Sequence, residues 1–136
     1  MKSTFYILAL NFFIISSCKK TDDIKPEIIV ESPINKQTFR AGEEIIFKAI
    51  FKDNDELAQY KIDIHNNFDG HSHVVLASEA WEEVIIEELS GVEQKVERKL
   101  IIPADATIGD YDFIVKCIDV SGNEATLKSL GIIIEN

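Results

Sequence analysis

Hydrophobic and polar residues alternate with a period of two along most of the chain from Pro26 onward, and helical periodicity is almost absent. This alternation is typical of strands that bury one face and expose the other to water. It predicts an all-β domain with seven strands: Pro26–Glu31, Glu44–Lys52, Leu57–His65, Glu83–Leu89, Val92–Ile102, a strand from Tyr111 to Cys117, and a closing strand Glu124–Glu135. Between the first two strands, Gln37–Gly42 is predicted to be a turn.

The parity of the third strand determines which of its side chains reach solvent. Tyr60, Ile62 and Ile64 share one face, so Asp63 and His65 are predicted to point away from the core.

The end of the chain favours one particular all-β fold. Tyr111 stands at the start of a late strand, the position of the tyrosine corner in immunoglobulin-like domains, where the hydroxyl reaches back to upstream backbone. Asp119–Asn123 has the composition of a hairpin turn. About seven short strands at these spacings predict an immunoglobulin-like antiparallel β-sandwich over residues 26–136.

The first 17 residues are predicted to be a secretory signal peptide and not part of the fold. Lys2 supplies a positive start, and Phe5–Ile15 is an apolar run too short to span a bilayer as a helix. The segment Ile15-Ser16-Ser17-Cys18 resembles the lipobox of bacterial lipoproteins. That resemblance implies that Cys18 becomes the mature N-terminus and carries the lipid. An ordinary signal peptide with a free Cys18 is the alternative.

Residues 18–25 are polar and predict a tether between the lipid and the domain. Lys19–Asp23 is similar to the acidic export tags of some Gram-negative lipoproteins, and a plain solvated linker is the alternative. The expected location is the cell envelope, lipid-anchored to the outer membrane and facing either the periplasm or the surface.

The sequence argues against nucleic-acid binding and against catalysis. Acidic residues outnumber basic ones by 24 to 14, for a net charge of −10, so nucleic acid is not an expected partner. Cys117 lies among alternating apolar residues and is expected to be a buried thiol, without a disulfide partner once Cys18 is lipidated. The sequence offers no persuasive combination of nucleophile, base and orienting group, so we do not expect an enzyme.

Several stretches together resemble a known family. Leu100–Asp105, Gly109–Tyr111 and Asp119–Asn123 look like the E–F corner and F–G hairpin of bacterial immunoglobulin-like and fibronectin-like modules. With the lipobox and the stretch Ile62–His73, they resemble the lipoprotein family catalogued as domain of unknown function 4625. The resemblance implies the sandwich fold and an envelope location but no activity.

All three histidines lie within nine residues, His65-Asn66-Asn67-Phe68-Asp69-Gly70-His71-Ser72-His73. If the third strand turns back through residues 66–70, His65 lies opposite His71 and Asp63 lies opposite His73 on the outward face. Directly opposed residues have Cβ atoms about 4.5–5.5 Å apart. This set, with Asp69 as a substitute for Asp63 from the loop, suits Zn²⁺, Cu²⁺ or Ni²⁺.

Other interpretations of this stretch remain open. Asp69-Gly70 is also a favoured two-residue hairpin turn, which would move His71 and His73 to the apolar face of Ile64. We prefer the wider loop because the short turn places two histidines on that apolar face. An irregular connection over residues 71–80 would leave the geometry undetermined. The stretch would then be a metal site, a solvated polar loop, or a metal-free site that responds to imidazole protonation.

A second group of candidate ligands consists of Asp53, Asp55, Asp119 and Asn123. In a sandwich of this topology the B–C and F–G loops emerge at the same end, so these oxygen donors could meet and hold Ca²⁺. Hydrogen bonding of Asp and Asn to their own turns is the alternative.

Two functional hypotheses follow. The first is a membrane-anchored envelope lipoprotein that binds Zn²⁺ or Cu²⁺ through the histidine cluster. The alternative is a non-catalytic structural or adhesive module that binds glycan or protein, with the histidine stretch as a solvated loop. Trp81 is expected in the core, and the competing interpretation is an exposed platform on which a sugar could stack.

Overall fold

The computed structural model describes residues 22–67, 80–127 and 129–135. Within these ranges the chain forms nine strands: β1 (Glu27–Ser32), β2 (Gln37–Arg40), β3 (Glu44–Lys52), β4 (Leu57–Asn66), β5 (Glu83–Glu88), β6 (Glu93–Ile101), β7 (Gly109–Asp119), β8 (Glu124–Thr126) and β9 (Leu130–Glu135). In the same ranges, no helix has the length and apolar character needed to cross a bilayer.

The strands form two sheets. The smaller sheet has the order β1-β3-β6, and the larger has the order β2-β9-β7-β4-β5, with β8 also paired to β7. All pairs are antiparallel except β2 with β9, which is parallel. The predicted all-β sandwich is confirmed.

Two predictions about the positions of the strands were wrong. Gln37–Gly42 was expected to be a turn, but it contains β2, which pairs in parallel with β9. The alternation in this segment is too short to reveal a strand, whereas the structure buries Phe39 to 8% exposure. The predicted closing strand is divided into β8 and β9, which pair with successive parts of β7.

The core forms where the inward faces of the two sheets meet. Phe47 on β3 contacts Phe113 on β7 with ring centroids 5.8 Å apart, and Phe51 stacks on Tyr60 of β4 at 5.1 Å. Burying each of these side chains contributes about 1.5–3 kcal/mol. Trp81 is also in the core, 6% exposed, with its ring 6.1 Å from that of Tyr111. The expectation of a core tryptophan is therefore confirmed.

The two ends of the sandwich carry different loops. The N-terminal end, as we call it, holds Asp22, where the described chain begins, together with loop 53–56 and hairpin 119–123. The opposite end holds the first residues of β3 and β7 and the last residue of β4, Asn66, which pairs with Tyr111. Since β7 has 11 residues, the two ends are roughly 35 Å apart.

The tyrosine corner expected at Tyr111 is present. Its hydroxyl donates to the carbonyl oxygen of Thr107 at 2.7 Å and lies 3.4 Å from the backbone nitrogen of Trp81. The side chain is fully buried, and burial raises its pKa. The corner therefore ties the start of β7 to the backbone that precedes both β5 and β7.

Tyr111→Phe should lower the free energy of unfolding by about 1–3 kcal/mol, because it leaves buried backbone groups without their partner. Chemical denaturation of the parent and the variant measures the difference. Tyr60→Phe is the matched control. The hydroxyl of Tyr60 contacts Glu87, whose half-exposed carboxylate can be hydrated instead, so we expect a cost below about 1 kcal/mol. Equal costs for both variants would contradict the role of the corner.

Candidate functional site

Two inward rows of side chains end in carboxylates at the N-terminal end. On β3, alternate residues from Ile45 to Phe51 are buried, and the next position in that row is Asp53. On β7, the buried row from Tyr111 to Cys117 continues to Asp119, which is 3% exposed. Because β3 and β7 lie in facing sheets, the two carboxylates meet at the edge of the core.

Asp22, from the segment before β1, joins this pair. One carboxylate oxygen from each of Asp22, Asp53 and Asp119 lies within 4.8 Å of the others. We call these three residues the aspartate cluster.

Asn123 links the hairpin to the incoming chain. Its side-chain amide donates to Asp119 Oδ2 at 2.7 Å and to the backbone oxygen of Asp22 at 3.1 Å. Its backbone nitrogen also donates to Asp119 Oδ1 at 2.8 Å. Both oxygens of Asp119 therefore have hydrogen-bond donors, and one hydrogen bond links the backbone of Asp22 to the hairpin.

Sequence reasoning found part of this cluster. The structure brings Asp53 and Asp119 together, as expected, and uses Asn123 to hold Asp119. Asp55 lies outside the cluster: its side chain is exposed, and its backbone nitrogen donates to Asp53 Oδ2 at 2.8 Å. Asp22 was missed because it precedes the first strand, in a segment predicted to be a tether. Its approach to Asp53 depends on tertiary structure.

Hydrogen bonds and burial set the protonation of the groups at this end. Burial acts to raise the pKa of Asp119, but hydrogen bonds from Asn123 and from the backbone of Gly122 and Ser121 outweigh it, and the pKa is lowered. Burial raises the pKa of the Cys117 thiol to about 12, and the charges of Asp53 and Asp119 act in the same direction. Asp119 is therefore ionised at neutral pH, and Cys117 is a neutral thiol.

At the opposite end, Asp63 and His65 lie on the outward face of β4, as the strand parity predicted. His65 Nδ1 is 3.1 Å from Asp63 Oδ1, and His65 Nε2 is 3.9 Å from Asp112 Oδ2. Lys61 Nζ lies 2.8 Å from Asp63 Oδ2, and this hydrogen bond is the main cause of the lowered pKa of Asp63. Asp63 is thus already paired with a cation.

The predicted pairing of Asp63 with His73 is wrong. In the larger sheet, Asp63 is opposite Val84 on β5 and Ile114 on β7, so both of its sides are occupied. His65 is opposite Asp112 on β7. The reason is that residues 83–88 of β5, and not the residues from His71 onward, form the antiparallel partner on this side of β4. Asp69, His71 and His73 lie outside the described residues.

The aspartate cluster is the one group of three or more potential metal ligands found within residues 22–67, 80–127 and 129–135. The ligand atoms of His65, Asp63 and Asp112 do not all lie within 4.8 Å of one another, as those of the aspartate cluster do. In the described chain, oxygen donors thus gather at the N-terminal end, whereas a single imidazole flanked by carboxylates lies at the opposite end.

Comparison with known proteins gives a family and a fold. A family profile described as "Domain of unknown function (DUF4625)" matches residues 16–134. No curated protein matches the chain by sequence. Of solved structures, the sporulation control protein Spo0M from Bacillus subtilis is similar with a TM-score of 0.53 and 14% identity, over 82% of this chain and 49% of that one.

Two further structures are similar at the same low identity. Wild-type OgpA from Akkermansia muciniphila has a TM-score of 0.55 and 14% identity, over 86% of this chain and 31% of that one. Fibronectin(III)-like modules of Clostridium thermocellum CbhA have a TM-score of 0.46 and 14% identity, over 79% of this chain and 94% of that one. The chain spans about half the length of the Spo0M chain. At such identities, the likeness to Spo0M and OgpA concerns the fold alone.

Cys117 should be unreactive towards a thiol reagent such as DTNB in the native protein, because its side chain is 1% exposed and its pKa is about 12. In a Cys18→Ala background, we expect one thiol to react only after denaturation. Adding Ser121→Cys, at an exposed position of the hairpin, supplies a matched thiol that should react at once. Rapid labelling of the native Cys18→Ala protein would contradict the buried placement of Cys117.

Proposed function

The chain belongs to the family described as domain of unknown function DUF4625, and we propose that it is a lipid-anchored, non-catalytic β-sandwich module of the cell envelope. The anchor is Cys18, at the end of the predicted signal peptide. The membrane is the outer membrane, with the module facing the periplasm or the surface. Its task is to hold a binding surface for a glycan or protein at a set distance from the lipid.

The observation that carries this proposal is the placement of the two ends. Only three residues, Lys19, Lys20 and Thr21, separate Cys18 from Asp22, so the anchor and the N-terminal end are adjacent in sequence. Asn67, within the histidine stretch, follows the last residue of β4, and Ala80, beyond that stretch, precedes the buried Trp81; both lie at the opposite end. The backbone nitrogen of Asn67 donates to Asp110 at 2.8 Å, which secures this departure point.

This arrangement places the lipid anchor and the proposed binding surface at opposite ends of the sandwich. A packed sandwich of roughly 35 Å lies between the tether and the flanks of the polar stretch. Loops supported by a rigid scaffold are where binding residues are most often found. A module built in this way keeps the opposite end away from the lipid without needing any catalytic group.

Probes at the two ends of the sandwich should report different distances from the membrane. Fluorophores attached through Ser121→Cys at the N-terminal end and through Asp105→Cys at the opposite end both occupy exposed positions. In vesicles with acceptor-labelled headgroups, energy transfer should be stronger from the label at residue 121. Equal or reversed transfer would contradict the proposed orientation.

The same energy-transfer measurement tests whether the lipid anchor is present. Cys18→Ala removes the proposed site of acylation, so the labelled variant should remain in solution and show no transfer from either position. Cys18→Ala protein that still binds vesicles as tightly as the parent would remove the anchor from the proposal.

Transition-metal binding at the opposite end is a second candidate function. Histidines that bind metals usually donate their other ring nitrogen to a carboxylate, which fixes the orientation of the ring. The contact between His65 Nδ1 and Asp63 Oδ1 has this form. Asp63 then orients His65 instead of binding the metal, and His71, His73 and Asp69 are the remaining proposed ligands for Zn²⁺ or Cu²⁺.

His65→Ala and His71→Ala should each weaken Zn²⁺ or Cu²⁺ binding by about tenfold or more, because each removes a ligand. Calorimetric titration of the Cys117→Ser protein measures this without a contribution from the thiol. Binding should also be lost near pH 5, about one unit or more below the usual imidazole pKa. Asn66→Ala, which alters the neighbouring position without removing an imidazole, should bind like the parent. If both histidine variants bind like the parent, this metal site is wrong.

A further inference from the structure

The aspartate cluster contains carboxylate oxygens that the protein itself leaves without partners. Asp22 Oδ2 and Asp53 Oδ1 are shielded from solvent and have no hydrogen-bond donor among the described residues. The other oxygen of each group is used locally, by the backbone nitrogens of Ile24 at 3.2 Å and Asp55 at 2.8 Å. Leaving a carboxylate oxygen desolvated and unpaired is unfavourable, so two such oxygens in one cluster indicate a ligand that the described chain does not supply.

The charge at this point leads to the same conclusion. Asp22, Asp53 and Asp119 together supply three negative charges at the edge of the core. Asp119 is only 3% exposed. None of the three forms an ion pair with a lysine or arginine in the described chain, whereas other carboxylates there form seven such pairs. The neighbouring Asn123 is neutral and binds Asp119 and the Asp22 backbone. No side-chain cation of the described residues therefore balances the charge of the cluster.

The donor set indicates which cation would fit. Every ligand offered is an oxygen, which suits the hard cations Ca²⁺ and Mg²⁺ and not a metal that prefers nitrogen or sulfur. Three carboxylates from separate segments of the chain give an irregular arrangement. Ca²⁺ accepts six to eight oxygens in a flexible geometry, whereas Mg²⁺ requires near-octahedral coordination.

We propose that Asp22, Asp53 and Asp119 bind one Ca²⁺ ion, and that the ion fixes the segment preceding β1 to the N-terminal end of the sandwich. The ion joins the incoming segment, the loop after β3 and the hairpin after β7, and it adds to the hydrogen bonds by which the hairpin already contacts the other two. Water supplies the remaining ligands. The ion neutralises the charge that otherwise drives the three carboxylates apart.

Fixing Asp22 has a direct consequence for the orientation of the domain. Lys19, Lys20 and Thr21 alone separate it from Cys18. With Ca²⁺ bound, only these three residues lie between the lipid and a point held by the ion, so the sandwich stays close to the membrane with a restricted range of orientations. This consequence, unlike Ca²⁺ binding itself, rests on the lipid anchor proposed above.

Thermal unfolding and calorimetry of the full chain in detergent, after removal of divalent ions with a chelator, test the site. Ca²⁺ should bind with a stoichiometry of one and raise the unfolding midpoint, since a ligand that binds the native state stabilises it. Asp22→Asn and Asp53→Asn should each weaken Ca²⁺ binding by about tenfold or more. Without Ca²⁺, both variants should be at least as stable as the parent, because each removes one of three repelling charges.

Asp23→Asn is the matched control. It makes the same change of charge at the exposed position next to Asp22, so it should bind Ca²⁺ like the parent. Absence of Ca²⁺ binding to the parent would overturn the proposal, as would an Asp22→Asn protein that binds like Asp23→Asn. Asp119 is not used as the test position, because its hydrogen bonds to Asn123 also stabilise the hairpin.

Hydrogen exchange separates the ion site from its effect on the tether. Ca²⁺ should slow exchange in residues 22–26, 53–56 and 119–123 of the parent. Slowing in the last two segments without the first would overturn the fixing of the tether. The Cys18→Ala protein should show the same protection in solution, so failure of the lipid anchor and failure of the Ca²⁺ site give different results.

Discussion

Strict alternation along two facing strands is the constraint on which the rest of this structure depends. β3 and β7 are each paired on both sides, and their inward rows meet through Phe47 and Phe113. Without a bulge, a strand cannot skip a position, so the residue after each buried row also faces inward. Those residues are Asp53 and Asp119. The pattern that builds the core thus also places two carboxylates at its edge.

Each end of the sandwich therefore has its own chemistry. At the N-terminal end, the three carboxylates of the aspartate cluster lie together, so oxygen is the available ligand. At the opposite end, His65 lies on an outward face between Asp63 and Asp112, and the chain leaves the sheet at Asn67. The interior between them is apolar and tightly packed, so the two ends are chemically independent. A tethered module with its anchor at one end and its binding surface at the other is consistent with this division.

The histidine stretch shows where local reasoning about pairing fails. Asp63 and His65 face outward, as alternation requires, because parity along one strand is a local property. Their cross-strand neighbours depend on which strands flank β4, and these come from residues 83–88 and 109–119. The hairpin expected from the sequence closes a shorter loop, which costs less entropy than the observed pairing with residues 83–88. In the observed pairing, β4 lies between β5 and β7, and its inward side chains Tyr60, Ile62 and Ile64 are at most 1% exposed.

The amino-acid sequence alone determined the fold class, the positions of most strands, the inward and outward faces, the tyrosine corner at Tyr111 and the burial of Trp81 and Cys117. These follow from period-two patterning and turn composition, which act over a few residues. The tertiary structure alone decided that β2 lies beside β9, that Val84 and Ile114 flank Asp63, and that Asp22 joins Asp53 and Asp119. Each of these contacts joins segments distant in sequence, and their proximity depends on how the two sheets pack.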